Sequence, residues 1–137
     1  MKELTKIHLL MERTDLHYVA TELVKWYSNK LPAGVKVKNT SYKLDSLKGD
    51  YDVDRNLIRI RRSGYKNVDD FITTVLHEIK HAMDAKDKGK NNYKADYEWE
   101  MNYQIQNNKH QYDDNKYEIE AEKWAREEYR KRWKGKF

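Results

Sequence analysis

Asn67-Val68-Asp69-Asp70-Phe71-Ile72-Thr73-Thr74-Val75-Leu76-His77-Glu78-Ile79-Lys80-His81-Ala82-Met83 is the stretch from which the fold is read. Asn67 is a good N-cap, with Asp70 three residues on as its reciprocal acidic partner, so a helix is predicted to begin at Val68. Val68, Phe71, Ile72, Val75, Ile79, Ala82 and Met83 recur at helical spacing and form one apolar stripe. On a wheel of about 100° per residue, His77 and His81 fall opposite that stripe, near Asp70, Thr74 and Asp84. Two imidazoles one turn apart with Glu78 beside them make an H-E-x-x-H pattern, which pairs two metal ligands with a general base. A shuffled chain of this composition would contain the pattern about once in seventy, and the competing reading is two solvated histidines on an exposed helix face.

Working outward, Thr14 or Asp15 can cap a helix reaching about Leu31, with Leu16, Val19, Ala20, Leu23, Val24 and Tyr27 as its stripe and Pro32-Ala33-Gly34 as its stop. Val35-Lys36-Val37-Lys38 alternates, and 41–44 extends that reading. Lys48-Gly49-Asp50 reads as a turn, followed by strand at Tyr51 and Val53, a tight turn at Asp54-Arg55-Asn56, and strand again at 57–62. That last strand reads as a sheet edge on which a peptide could lie, or equally as an ordinary edge protected by its cations. Beyond the central helix the chain is polar and tyrosine-rich. Tyr97, Met101 and Ile105, four apart, suit a modest helix, and Asp113-Asp114-Asn115 offers caps for a final helix over 116–132. The expected fold is α+β: an N-terminal helix, a small three- to four-stranded sheet, the H-E-x-x-H helix and C-terminal helices. A chain of 137 residues makes one domain's worth, read as a single domain with its core over about 14–130 and a basic tail at 126–137.

Composition narrows the chemistry. Charged residues reach 37%, and 11 Tyr and 4 Trp carry much of the apolar content, so the core is expected to be small and aromatic. There is no cysteine, which excludes disulfides and thiolate sites and leaves His, Asp and Glu as metal ligands, a set suited to catalytic zinc. No run approaches the roughly 18–20 apolar residues of a membrane span, and the start lacks a signal-peptide core, so a cytoplasmic protein with no membrane partner is expected. The net charge of +5 raises nucleic acid as a partner. The tail mixes cations with Tyr129, Trp133 and Phe137, which could stack bases or cap a core, and a solvated basic helix end is the favoured reading.

Catalytic zinc takes three protein ligands and leaves one position open, so two histidines need a partner, with Glu118, Glu98 and His110 as the choices. Glu118 leads because it shares a helix face with Ala121, Glu122 and Ala125, and small alanines allow close approach to the H-E-x-x-H helix. Glu122 could then hydrogen-bond the second ring nitrogen of a histidine, with Asp70 and Asp84 as alternatives in that role. Tyr112, His110 and Tyr103 are candidates to stabilise a developing oxyanion.

His77-Glu78-Ile79-Lys80-His81-Ala82 followed by Glu118-Ile119-Glu120-Ala121-Glu122-Lys123-Trp124-Ala125 resembles the signature of the ImmA/IrrE-type zinc metallopeptidases, and is similar to short metallopeptidases of phages and mobile elements. Lys80 stands where members often carry Gly, and the connection between the two segments is long. SprT-like proteases share H-E-x-x-H but take a third histidine soon after it, and none occurs here before His110. The resemblance implies a zincin-like, minimal gluzincin fold with one Zn2+ per chain held by His77, His81 and Glu118. It also implies Glu78 as catalytic base and a protein or peptide substrate. The competing functional reading is a zincin-fold regulator that binds DNA or protein through Arg59, Arg61, Arg62 and the tail.

Overall fold

The computed structural model describes residues 16–40 and 48–135. Its order is helix α1 (Leu16–Trp26), a 3-10 turn (Ser28–Lys30), strands β1 (Lys36–Thr40), β2 (Gly49–Asp52) and β3 (Leu57–Arg61), then helices α2 (Val68–Lys88), α3 (Lys90–Gln106) and α4 (Lys116–Glu128). A π-helical turn, Tyr129–Trp133, closes the described chain. The α+β class with a small mixed sheet agrees with the sequence reading. The expected caps at Thr14 and Asp15 and the extended segment at 41–44 lie outside the described residues.

Helix α2 is the axis of the structure, and its ends follow local chemistry. The Asn67 side chain accepts from the Asp70 amide at 2.9 Å, while the Asp70 carboxylate accepts from the Lys66 amide at 2.9 Å and from Lys48 Nζ at 2.6 Å. Amides that would face water unpaired at the helix start are thereby satisfied. Phe71, Ile72, Val75, Ile79 and Ala82 are fully buried against Val19, Ala20 and Leu23 of α1 and Ile58 and Ile60 of β3. This contiguous apolar cluster removes one whole face of α2 from water, which is where most of the helix's stability arises.

The sheet differs from expectation at two points. Its order is β1-β3-β2, with β1 parallel and β2 antiparallel to β3. The strand read as an edge is therefore the central one: alternation in Leu57–Arg61 places Ile58 and Ile60 in the core, so partners on both sides cover its backbone. Lys48-Gly49-Asp50 is not a turn, because Gly49 and Asp50 already pair with Ile60 and Arg59. The turn at Asp54-Arg55-Asn56 does form. The Asp52 carboxylate accepts from the amides of Asp54 and Arg55 at 3.1 Å, and Asn56 takes φ 51°, a left-handed conformation that asparagine tolerates.

Helix α3 forms where Tyr97, Met101 and Ile105 predicted one; Tyr93, Glu100 and Gln104 are buried in it, Tyr97 and Met101 are partly buried and Ile105 is half exposed. Its inward face is chosen by polar pairing: Glu100 accepts from Gln104 at 2.9 Å and from the first amide of α4, Lys116, at 3.2 Å. Helix α4 ends at Glu128, short of the predicted limit, where the π-helical turn begins. There Trp133 Nε1 donates to Tyr27 Oη at 3.0 Å and Tyr27 donates to Glu128 at 2.8 Å, all three side chains being buried. The aromatic tail thus caps the core and anchors α4 to the first helix.

Ala121 and Ala125 have no exposed surface and let α4 lie close on α2, the most extensively packed pair of elements in the described structure. Ala121→Leu should overpack this contact, costing about 1–3 kcal/mol in urea unfolding with an unchanged m-value, and should displace the N-terminal turns of α4 from α2.

Candidate metal centre

With its apolar face held in the core, α2 presents His77 and His81 to α4, and the two rings lie 4.9 Å apart between centroids. Asn115 caps α4, its side chain accepting from the Tyr117 amide at 2.9 Å, so the carboxylate of Glu118 leaves the first turn towards the histidines. His77 Nε2 lies 2.8 Å and His81 Nε2 3.1 Å from Glu118 Oε1. Glu78, only 5% exposed, is tucked beside them, and ligand atoms of His77, Glu78 and His81 all fall within 4.8 Å of one another. The histidine face, solvated on the isolated helix, is covered here, and His81 is buried.

The outer nitrogens are fixed as well. His77 Nδ1 is 3.0 Å from Glu122 Oε2, one turn beyond Glu118, as the sequence suggested. His81 Nδ1 is 3.2 Å from the hydroxyl of Tyr93. With both Nδ1 atoms engaged, both Nε2 atoms remain to converge on one point, the arrangement by which surrounding groups orient histidine ligands. Asp70 and Asp84, the alternatives for this role, are instead paired with Lys48 and Lys80. The two distances from Glu118 Oε1 fall a few tenths of an ångström short of the about 3.3 Å that separates ligand atoms around a tetrahedral ion with bonds of about 2.0–2.1 Å. His77, Glu78 and His81 form a group that could hold a metal ion.

The remaining candidates separate by position. Glu98 lines the same cleft, but no contact joins it to either histidine. His110 is exposed, and its Nδ1 accepts the amides of Tyr112 and Asp113 at 3.1 and 3.0 Å, a local turn rather than a ligand pose. Tyr112 lines the cleft, whereas Tyr103 is half exposed and stacked on Trp99 outside it. Sequence reasoning missed Tyr93 and Tyr97. Tyr97 donates a short hydrogen bond to Glu118 Oε2 and sets its ring edge-on to His81. The two tyrosines stand one turn apart on α3, a signal lost among 11 tyrosines.

Electrostatics follow the packing. Burial opposes charge on the His77 ring, but the hydrogen bonds to Glu118 and Glu122 outweigh it and raise His77 from 6.5 to about 10. Burial likewise opposes charge on Glu118, yet its two histidine partners hold it far below the usual carboxylate range. Glu78 is pushed up to about 7 by burial, with His77 and His81 pulling the other way. Burial, reinforced by the charge of Glu118, drives the Tyr93 and Tyr97 phenols far above their ordinary value, so both stay protonated. Gly49 closes the site from the sheet: a Cβ there would stand 2.9 Å from the Arg59 carbonyl oxygen and 3.3 Å from Glu78 Cγ, so only glycine lets β2 lie this close to Glu78.

These groups border an open cleft of about 1380 Å³ between β2, α2, α3 and the start of α4. No helix among the described residues is long and apolar enough to cross a membrane. Comparison with protein-family models, curated proteins and solved structures finds no match to this chain.

Glu118→Ala should abolish binding of a divalent metal measured by elemental analysis, while Glu98→Ala and His110→Ala should retain about one ion per chain. After dialysis against a chelator, the two pKa shifts set a stability window. The contribution of His77, whose pKa is raised, is complete below about 6.5 and lost as pH rises through about 10. That of Glu118, whose pKa is depressed, is complete above about 4.5 and lost as pH falls. Thermal melts of the stripped protein should therefore show the His77 and Glu118 contributions greatest between about pH 4.5 and 6.5, set against a loss from Glu78, raised to about 7, as pH rises above about 4.5, and His77→Ala should remove the part that is lost towards pH 10.

Proposed function

We propose that this chain is a zinc-dependent metallopeptidase of the ImmA/IrrE-like, minimal gluzincin type, with His77, His81 and Glu118 as metal ligands and Glu78 as general base. The observation that carries the reading is the meeting of Glu118 with both Nε2 atoms, at 2.8 and 3.1 Å, across two helices 37 and 41 residues apart in sequence. An accidental H-E-x-x-H on a solvated face would have no reason to meet a carboxylate from another helix while both outer nitrogens are also engaged. The absence of thiolates and the mixed nitrogen and oxygen donors suit zinc in a catalytic role.

Zinc, when bound, would supply Lewis acidity, polarising a scissile carbonyl and bringing the pKa of water from about 15.7 towards 7. Glu78, held beside the histidines and roofed by Gly49, would accept a proton from the attacking water and return it to the leaving amine. The substrate strand is assigned to β2 rather than β3. Gly49–Asp52 lines the cleft and pairs on one side with β3, and no strand covers its other edge among the described residues, so an extended peptide could add there as a further strand. Tyr112, in the cleft wall, is the remaining oxyanion candidate of the three read from sequence. The alternative reading as a nucleic-acid-binding regulator gains no specific support: Arg59 is hydrogen-bonded to Asp50 at 2.7 Å, and Trp133 is committed to the core.

Glu78→Gln should keep stoichiometric zinc and the wild-type melting profile while losing at least about 100-fold in peptide hydrolysis, measured on a fluorogenic peptide library. Wild-type turnover in that variant would remove the peptidase mechanism.

A further inference from the structure

Both oxygens of the Glu118 carboxylate face the histidines. Oε1 lies 2.8 Å from His77 Nε2 and 3.1 Å from His81 Nε2, and Oε2 is itself 3.1 Å from His81 Nε2. A carboxylate so placed can ligate an ion through one oxygen or through both, and the second mode fills a position that a substrate or water requires. The Tyr97 hydroxyl distinguishes the oxygens, because it donates to Oε2 alone. The donor is held firmly: the Tyr97 ring packs against those of Tyr93 and Tyr117, with centroids 6.0 and 5.9 Å away, and edge-on to His81 at 6.1 Å. Tyr93, from the same helix face, serves His81 Nδ1 and touches no carboxylate oxygen of the site.

We infer that Tyr97 is a positioning residue that occupies Glu118 Oε2, restricts Glu118 to ligation through Oε1, and so keeps one coordination position open for the reaction. The inference rests on the metal-centre reading above and adds a division of labour between two adjacent tyrosines, Tyr97 setting how the carboxylate binds and Tyr93 setting the orientation of a histidine. Removing either hydroxyl should weaken metal binding. Only removal of the Tyr97 hydroxyl frees a second oxygen to ligate.

The test is Co2+ substitution in full-length wild-type, Tyr97→Phe and Tyr93→Phe proteins, each retaining its aromatic ring and each checked by circular dichroism and thermal melting. Four-coordinate Co2+ has intense visible bands that weaken when a further ligand is gained. Wild type and Tyr93→Phe should both give the intense spectrum, and Tyr97→Phe a weaker one, while chelator competition shows Zn2+ affinity reduced about 10- to 100-fold in both variants. A Tyr97→Phe spectrum superimposable on wild type would overturn the inference and leave the metal centre intact. A wild-type protein that takes up neither Co2+ nor Zn2+ would overturn the metallopeptidase reading itself, and the inference with it.

Discussion

The structure depends on how four polar side chains, Glu78 and His81 buried and His77 and Glu118 partly so, are accommodated between two helices. His77 and His81 leave α2 on the side opposite its core stripe, with Glu78 on the flank between, and α4 packs closely on α2 through its buried alanines. Covering such groups without partners would cost several kcal/mol. Each ring nitrogen has a partner instead: Glu118 for both Nε2 atoms, Glu122 and Tyr93 for the two Nδ1 atoms. The polar cluster is thus a packing constraint as well as a chemical site, since α4 can approach only in the register that brings Glu118 and Glu122 onto the histidines.

That register is defended from a distance. At the far end of α4 the buried Trp133–Tyr27–Glu128 hydrogen bonds tie the chain to α1, and Tyr129 reaches Asp69 in the first turn of α2. At the near end, Asn115 caps α4 and Glu100 accepts its first free amide. Glu118 is therefore held between a cap and an anchored helix, which keeps its carboxylate on both histidines. The sheet contributes through Gly49, whose missing side chain lets β2 close over Glu78 while its own outer edge borders the cleft.

Local rules made much of this legible in the sequence. The Asn67 cap, the apolar stripe of α2, the Asp54-Arg55-Asn56 turn and the Asn115 cap all depend on residues within a few positions of one another, and each formed, though Asp70 accepts the amide of Lys66 rather than that of Asn67. Where reading failed, distant packing had overruled local pattern. Tyr97, Met101 and Ile105 predicted the helix that forms as α3, but their spacing did not reveal that Glu100 and Gln104 are among its most buried positions, where Glu100 accepts the amide of Lys116 from the next helix. Charges on 57–62 suggested an edge, yet its alternating isoleucines needed a core on one face and its backbone took a partner on each side.

The sequence by itself determined that two imidazoles and a carboxylate stand together on one helix face, because a turn of helix is a fixed distance, and that Glu118, Ala121, Glu122 and Ala125 share another. Only the tertiary structure decided that these faces meet, that Glu118 rather than Glu98 or His110 reaches both Nε2 atoms, and that Tyr93 and Tyr97 complete the surroundings. Periodicity fixes directions around one helix axis. Which residue across a gap fills a hydrogen-bonding vacancy depends on the separation and rotation of two axes, and these are set by the whole core.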